Sequence, residues 1–202
     1  MTLENQNYIT AICSIRNNEI ILDGKLVFKT ETLDFSDFSK KAYQHLGISY
    51  PKFFKMDNLS KLAFLGAEML LQNEQESDMA LVFANRSSSL DTDVKYQKSI
   101  ADTANYFPSP AVFVYTLPNI CIGEISIRHQ LKSENSFFIF DAFNPQLMAN
   151  YADVLINTGK ATKVLCGWTE IFNEEYNAFL YLVAAEGTLT HNKHSLETAY
   201  NE

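Results

Sequence analysis

The chain has 202 residues, of which 47% are hydrophobic and 20% charged. That composition excludes a disordered chain and suits one domain with a sizeable core. The net charge of −8 argues against binding to nucleic acid or to an anionic membrane surface, which both need a basic footprint. No apolar run is long enough to span a membrane, and the first ten residues lack the pattern of a signal peptide. The three cysteines have no paired spacing, so we expect a cytoplasmic protein without disulfides, metal or cofactor.

The first part of the chain predicts β-hairpins followed by a helix. A mostly apolar run over residues 8–15 precedes turn signals at residues 17–18 and 23–24. Further along, Asp57 is a candidate N-cap, and the apolar residues after it recur at helical spacing. Residues 79–84 form a continuous apolar run, which predicts a strand buried on both faces.

The middle of the chain is less regular. Residues 85–110 carry little periodicity, so they are interpreted as a long loop with at most one short helix. Such a loop in a compact domain is more often functional than idle, and its role, in particular over residues 85–107, is left open. A helix is predicted over residues 119–130, and a short strand over residues 137–140.

The last elements complete an alternation of strands and helices. Asn144 and Pro145 are typical of a helix start, and Gly159 of a helix end. Two apolar strands, over residues 163–167 and 179–185, are separated by a polar turn and predict an antiparallel pair. The alternation predicts a layered α/β fold with a mostly parallel five-stranded sheet, helices on both faces and one antiparallel edge strand.

The residues offer few candidates for chemistry. No phosphate-binding loop, dinucleotide fingerprint, nucleophile elbow or zinc-protease motif is present. Cys121, near the start of a predicted helix, is a candidate nucleophile, but no histidine stands at an informative spacing from it. His191 and His194 could hold a metal, although they lie in a polar stretch that we expect to be frayed.

Two segments resemble one known family in order and spacing. The first reads ANRSSSLDTD, over residues 84–93, and the second runs from residue 108 to FFIFDAF at residues 137–143. Together they resemble the N-terminal half of β-ketoacyl-acyl-carrier-protein synthases, which have the thiolase-like fold. The chain is most similar to the half-length, chain-length-factor type found with aryl polyene and flexirubin-like pigment synthases. The resemblance implies one β-ketoacyl-synthase N-terminal-like domain over residues 1–187, with a polar tail over residues 188–202.

The departures from the family pattern bear on catalysis. Counting along the strand before the family's nucleophile places Phe143 at the position of the catalytic cysteine. A phenyl ring forms no thioester, so covalent acyl transfer by the family mechanism is not expected. The family's second half, with its histidines and lysine, has no counterpart in this sequence. We therefore expect no catalytic residue, although the family itself consists of enzymes.

The resemblance also implies where a partner would bind. Family dimers pair edge to edge through the strand before the nucleophile, which here comprises Phe137, Phe138, Ile139 and Phe140. Residues 116–123 match a segment at that interface, which borders the partner's acyl tunnel. The candidates for shaping the tunnel are Phe113, Leu117, Ile120 and Ile122.

Three functional hypotheses follow. In the first, the chain is an inactive partner subunit of a full-length β-ketoacyl-acyl-carrier-protein synthase in fatty acid or polyene-type biosynthesis. In the second, it forms a homodimer that binds acyl chains or an acyl carrier protein. In the third, it is an enzyme of other chemistry that uses Cys121 or the pair His191 and His194.

The helix after Phe143 also has a polar face with Asn150, Asp153 and Asn157, which predicts an open surface.

Overall fold

The computed structural model describes residues 6–32 and 34–202. The strands are β1 (Tyr8–Arg16), β2 (Glu19–Leu22), β3 (Lys25–Lys29), β4 (Met79–Asn85), β5 (Asn135–Ile139), β6 (Lys163–Phe172), β7 (Glu175–Ala184) and β8 (Leu189–Thr190). The helices are α1 (Phe35–His45), α2 (Asn58–Leu71), α3 (Leu90–Ala101), α4 (Pro110–Val114), α5 (Ile120–His129), α6 (Pro145–Asn157) and α7 (Lys193–Asn201). Over these described ranges, no helix has the length and apolar character needed to cross a membrane.

The strands form one sheet in the order β3-β2-β1-β7-β6-β4-β5, and β8 pairs with the outer part of β1. In the central five strands, β4 is parallel to both β5 and β6, whereas β7 is antiparallel to β6 and to β1. Four of these five strands therefore point the same way, and β7 alone is reversed. Strands β2 and β3 extend the sheet as an antiparallel meander.

The layered α/β fold predicted from the sequence is confirmed, with three corrections to the sheet. Only the pairings of β4 with β5 and of β4 with β6 are parallel, so the sheet is mixed and not mostly parallel. It has eight strands in place of five, because the meander and β8 all join the same sheet. The reversed central strand lies in the interior, between β1 and β6, and not at the edge. It lies there because the tight turn at Asn173 and Glu174, both with positive φ, returns β7 directly alongside β6.

Both faces of the sheet are covered, and β4 separates two cores. Every residue of β4 is buried, as the continuous apolar run predicted. Leu81 and Phe83 belong to a first core under α1, α2 and α5. Val82 and Ala84 belong to a second core under α6 and α7. Since side chains alternate along a strand, one apolar run supplies both cores.

Helix α2 begins at Asp57, as predicted. The Asp57 Oδ1 atom accepts a hydrogen bond from the Ser60 amide at 2.9 Å, while Oδ2 accepts one from the Thr92 hydroxyl at 2.8 Å. Burial raises the pKa of the Asp57 carboxyl above its usual value, although these hydrogen bonds oppose the shift. The same carboxylate thus caps α2 and attaches α3 to the body of the fold.

Helices α1 and α3 were not predicted from the sequence. The segment interpreted as a long loop contains α3, a helix of 12 residues in which only Thr92 is buried. A helix that buries one polar residue has no apolar stripe, so its sequence carries no helical periodicity. Helix α1 begins at Phe35 with Asp34 as its cap and packs on α2, in a stretch for which the sequence predicted no element.

The polar stretch after residue 187 is ordered, which corrects the expectation of a frayed tail. Residues 189–190 form β8, and Asn192 caps α7 by accepting a hydrogen bond from the Ser195 amide at 2.9 Å. Leu196, on the inner face of α7, is fully buried in the second core. One buried leucine among polar residues gives too weak a pattern to predict this helix from the sequence.

Substitution of Gly167 by valine should destabilise the fold. A Cβ atom at Gly167 would lie 2.6 Å from the ring of Phe83, its register partner on β4. Because the ring is packed in the first core, we expect Gly167→Val to lower the free energy of unfolding by about 1–3 kcal/mol in urea denaturation.

Gly123→Ala in α5 is the matched control for that measurement. Nothing lies within 4 Å of a Cβ atom at Gly123, so this change should be neutral or stabilise the protein by about 0.5–1 kcal/mol. Equal stability of the two variants would contradict the proposed contact between Gly167 and Phe83.

Candidate functional site

The predicted nucleophile position lies at the start of α6. Phe143 directly precedes Asn144, whose side chain caps the helix by accepting a hydrogen bond from the Leu147 amide at 3.1 Å. Pro145 occupies the first turn, as the sequence predicted. The turn between β5 and α6 therefore presents the Phe143 side chain at a helix N-terminus, where an anion or thiolate would otherwise be favoured.

The ring of Phe143 is part of an aromatic cluster. Its centroid lies 4.7 Å from that of Tyr200, 5.6 Å from that of Phe179 and 6.1 Å from that of Trp168. Such separations are typical of favourable aromatic pairs. At this predicted position the half-buried phenyl ring is packed among other aromatic rings, and a phenyl ring supplies no nucleophile for covalent catalysis.

A shallow cleft borders this cluster. Its adjoining parts have volumes of about 390, 350 and 650 Å³. Its polar wall comprises Arg86, Glu170 and Asn177. Its apolar wall comprises Phe143, Trp168 and Tyr200. All four histidines of the chain lie in the described ranges, and none of them lines the cleft. The cleft therefore has no imidazole that could take part in acid–base catalysis.

Glu170 fixes the loop that borders the cleft. Its carboxylate accepts hydrogen bonds from the Arg86 amide at 2.8 Å, from the Ser87 amide at 3.0 Å and from the Ser87 hydroxyl. The Asn85 side chain adds two hydrogen bonds to the backbone of Ser88, at 2.8 and 2.9 Å. The start of the ANRSSSLDTD segment is thus a hydrogen-bonded turn that leads into α3.

The cysteines give no support to an enzyme of other chemistry. Cys13, Cys121 and Cys166 are all free and buried. Burial raises the pKa of Cys121 well above its usual value and raises that of Cys166 to about 12. Since the thiolate is the nucleophile, burial disfavours the reactive form, and the structure gives no support to a nucleophilic Cys121.

The two histidines of the last segment lie in different environments. His191 is buried, and its Nδ1 atom lies 2.8 Å from the Asp153 carboxylate, whereas His194 is exposed. No three histidine, cysteine or acidic side chains converge as a metal site in the described parts of the chain. Asp153 was expected on an open face of α6, and the contact with His191 corrects that expectation.

Residues 90–117 form a second candidate site, which we call the arm. It contains α3 and α4, and α4 has no buried residue. Apolar side chains are exposed over its length: Leu90, Val94, Tyr106, Phe107, Phe113, Val114 and Leu117. A concentration of large exposed apolar residues on one segment is typical of a protein interaction surface.

Polar contacts hold the arm in place. The Thr92 hydroxyl binds Asp57, and the Asn58 side chain donates to the Asp91 carboxylate at 3.1 Å. At the far end, the Tyr115 hydroxyl donates to Glu124 at 2.9 Å. Because hydrogen bonds attach the arm to the body, its apolar side chains are left to face outward.

Strand β5 is the third candidate site, because it forms an open edge of the sheet. The Phe140 amide donates to the Asn85 carbonyl at 3.0 Å, so by alternation the backbone groups of Phe137 and Ile139 point away from β4. The Ile139 side chain is 48% exposed, whereas Phe138 packs on the second core. No charged residue interrupts this edge.

The opposite edge of the sheet differs from β5. Strand β3 begins and ends with a lysine, Lys25 and Lys29, and charged residues of this kind protect an edge from pairing. The β5 edge lacks that protection, which favours it as the edge that accepts a partner.

The predicted tunnel-facing residues divide into two groups. Phe113 and Leu117 are each 57% exposed on the arm, and Ile120 is half-buried at the start of α5. Ile122 is fully buried in the first core, which corrects its assignment as a residue that faces a partner. In α5 the two isoleucines are two residues apart, so they point in different directions, which the resemblance alone did not reveal.

Comparisons by sequence find no relative: no family model and no curated protein matches the chain. The structure, in contrast, is similar to solved ketosynthases and chain length factors. A chain from "The ishigamide ketosynthase/chain length factor" is 18% identical, with a TM-score of 0.64 and coverage of 89% of this chain. This chain spans 62% of that one.

Two further structures agree. A chain from the ketosynthase ApeO in complex with its chain length factor ApeC, from Xenorhabdus doucetiae, has a TM-score of 0.59 at 16% identity. The match covers 91% of this chain and 80% of the chain from that complex. A chain from AntDE:AntF, an acyl-carrier protein in complex with its ketosynthase, has a TM-score of 0.62 at 15% identity and covers 96% of this chain, which spans 65% of it. The chain thus has the thiolase-like fold of these proteins.

Restoring a cysteine should not restore acyl transfer. We expect Phe143→Cys, incubated with an acyl thioester, to gain no acyl group faster than free cysteine does, because no histidine lines the cleft to assist the thiol. Intact-mass spectrometry over time measures this directly, with the unchanged protein as the control. Rapid and stoichiometric acylation of the variant would contradict this view of the site.

Proposed function

We propose that the chain is a catalytically inactive partner subunit of a full-length ketosynthase, with a role like that of a chain length factor. The observation that carries the proposal is Phe143. By the family resemblance, Phe143 stands where a synthase would need a thiol, and its ring at the start of α6 packs against Tyr200 in a fold shared with ketosynthases and chain length factors. A chain without its own nucleophile, in a fold that occurs in paired complexes, is best explained as the non-catalytic member of a pair.

Two surfaces support a partner subunit. The arm presents aromatic and aliphatic side chains to solvent, and Phe107 alone is 77% exposed. The β5 edge presents unpaired backbone groups beside Ile139. An apolar patch and an unprotected strand edge are both costly for a protein that stays alone, and both are stabilised by strand pairing and apolar burial at an interface.

The arm is the part proposed to influence chain length. By the family resemblance, Phe113, Leu117 and Ile120 would border the acyl tunnel of the partner. An apolar wall stops an acyl chain from extending, because each CH₂ group that cannot be buried forfeits about 0.8 kcal/mol. Large side chains at these positions would therefore favour short products, and smaller ones would lengthen them.

Carrier-protein binding is a further possibility of the same assembly. The AntDE:AntF structure contains an acyl-carrier protein in complex with its ketosynthase. We propose that any carrier protein reaches the complex mainly through the catalytic subunit, since this chain is itself acidic, at −8, and would repel an acidic carrier.

Co-expression with a full-length ketosynthase from the same genome neighbourhood tests the proposal. We expect the two chains to elute from a sizing column as one complex. A ketosynthase that elutes without this chain and is fully active alone would exclude the partner-subunit role. A stable homodimer of this chain that ignores the synthase would favour the second hypothesis, a module that binds acyl chains.

Charge introduced on the arm should weaken the complex. Leu117→Asp would place a carboxylate in the centre of the proposed interface, where apolar anchors contribute most of the binding energy. We expect the dissociation constant for the ketosynthase to rise by at least about tenfold, as measured by calorimetry or surface plasmon resonance.

Leu26→Asp is the matched control, because Leu26 has the same 57% exposure as Leu117. Leu26 lies on β3, which is the edge of the sheet opposite to β5. It should leave the affinity unchanged. Ile139→Lys, which charges the β5 edge, should weaken binding as Leu117→Asp does. If all three variants bind equally, the complex uses another surface.

A further inference from the structure

The segment over residues 188–202, which we call the cover, folds back across the sheet. It begins after Gly187, where a Cβ atom would lie 2.6 Å from the Cβ atom of Tyr8. Strand β8 then pairs with the first residues of β1, and the His191 amide donates to the Asn7 carbonyl at 2.9 Å. The close approach at Gly187 allows the chain to turn onto β1 and brings the cover to the α6 side of the sheet.

A polar clasp joins the cover to α6. The Asp153 Oδ1 atom lies 2.8 Å from His191 Nδ1 and accepts a hydrogen bond from the Asn7 side chain, also at 2.8 Å. The His191 side chain is fully buried. A buried imidazole needs this partner, so the clasp specifies one position of the cover on the helix.

Apolar and aromatic contacts anchor the far end of the cover. Leu196 is fully buried in the second core, and the ring of Tyr200 lies 4.7 Å from that of Phe143 and 5.5 Å from that of Phe179. The Tyr200 hydroxyl accepts a hydrogen bond from the Asn177 side chain at 2.8 Å, and its carbonyl accepts one from Arg16 at 3.1 Å. One end of the cover is thus fixed to β1 and α6, and the other end to β1 and β7.

We propose that the cover is an intramolecular occupant of the α6 face, which closes that face to a second apolar protein surface and to apolar ligands. Beneath it lie the rings of Phe143, Trp168, Phe179 and Tyr181, which would form a large exposed aromatic patch if the cover were displaced. The cover leaves the arm and the β5 edge as the apolar surfaces open to a partner. This inference does not depend on which partner binds.

Trp168 reports on the cover, because it is the only tryptophan of the sequence, is 4% exposed and lines the cleft together with Tyr200 of α7. In the intact protein, we expect a blue-shifted emission and acrylamide quenching several-fold weaker than that of free tryptophan. Leu196→Asp should displace α7, shift the emission to the red and increase the quenching several-fold, because an aspartate in the second core is costly.

Val154→Asp is the matched control, since Val154 lies on α6 but is exposed, and it should change neither property. Gly187→Val tests the turn from outside the cover: the clash with Tyr8 should displace the segment and give the same change in emission and quenching as Leu196→Asp. Circular dichroism is the control that checks whether each variant retains its secondary structure.

Removal of residues 188–202 should also cause self-association on a sizing column, because the uncovered aromatic patch can bury itself against a second copy of the chain. If the shortened chain stays monomeric with an unchanged Trp168 emission, the proposal is overturned. If no variant folds, the intact protein alone tests the proposal. Acrylamide quenching of Trp168 as strong as that of free tryptophan would show that the α6 face is open and would overturn the proposal. Loss of binding to a ketosynthase is a separate readout and bears only on the partner-subunit role.

Discussion

The structure depends on the need to bury both faces of one sheet. Strand β4 has no exposed residue, so hydrophobic burial must occur on each side of it. Helices α1, α2 and α5 satisfy one side with a continuous apolar core. The other side relies on α6 and on α7, whose buried Leu196 and ring-packed Tyr200 come from an otherwise polar segment. The position of Phe143 follows from this arrangement, because the start of α6 lies where the helix, the sheet and α7 meet.

Polar and apolar contacts are used differently in the body and in the arm. In the body, apolar packing supplies the stability, and hydrogen bonds such as that of Glu170 to the turn at Arg86 fix the geometry. In the arm the roles are reversed, since hydrogen bonds such as that of Thr92 to Asp57 hold α3 while the large apolar side chains face solvent. Apolar residues on the outside of a rigid, polar-anchored segment are what an interface needs before its partner arrives, because little further ordering is required on binding.

The sequence predicted β4, α2 and α6 from clear patterns, but it missed α1, although that helix buries Phe35, Phe38 and Ala42. The continuous run in β4, the cap at Asp57 and the Asn144-Pro145 start of α6 all appear where expected. Helix α3 was missed because it buries only Thr92, and α7 because it buries only Leu196. Phe143 was assigned by counting along a familiar segment, but its ring contact with Tyr200 joins residues 57 positions apart, which no local pattern shows. The burial of Ile122 likewise follows from how α5 packs on α2, which no spacing along the chain specifies.

The central claim is that the chain pairs with a full-length ketosynthase and contributes no chemistry of its own. Native mass spectrometry of this chain, alone and mixed with that ketosynthase, tests the claim most directly. The account predicts a one-to-one heterodimer in the mixture, which would turn attention to the arm and to the product lengths that the complex makes. A homodimer of this chain that persists unchanged in the presence of the synthase would contradict it.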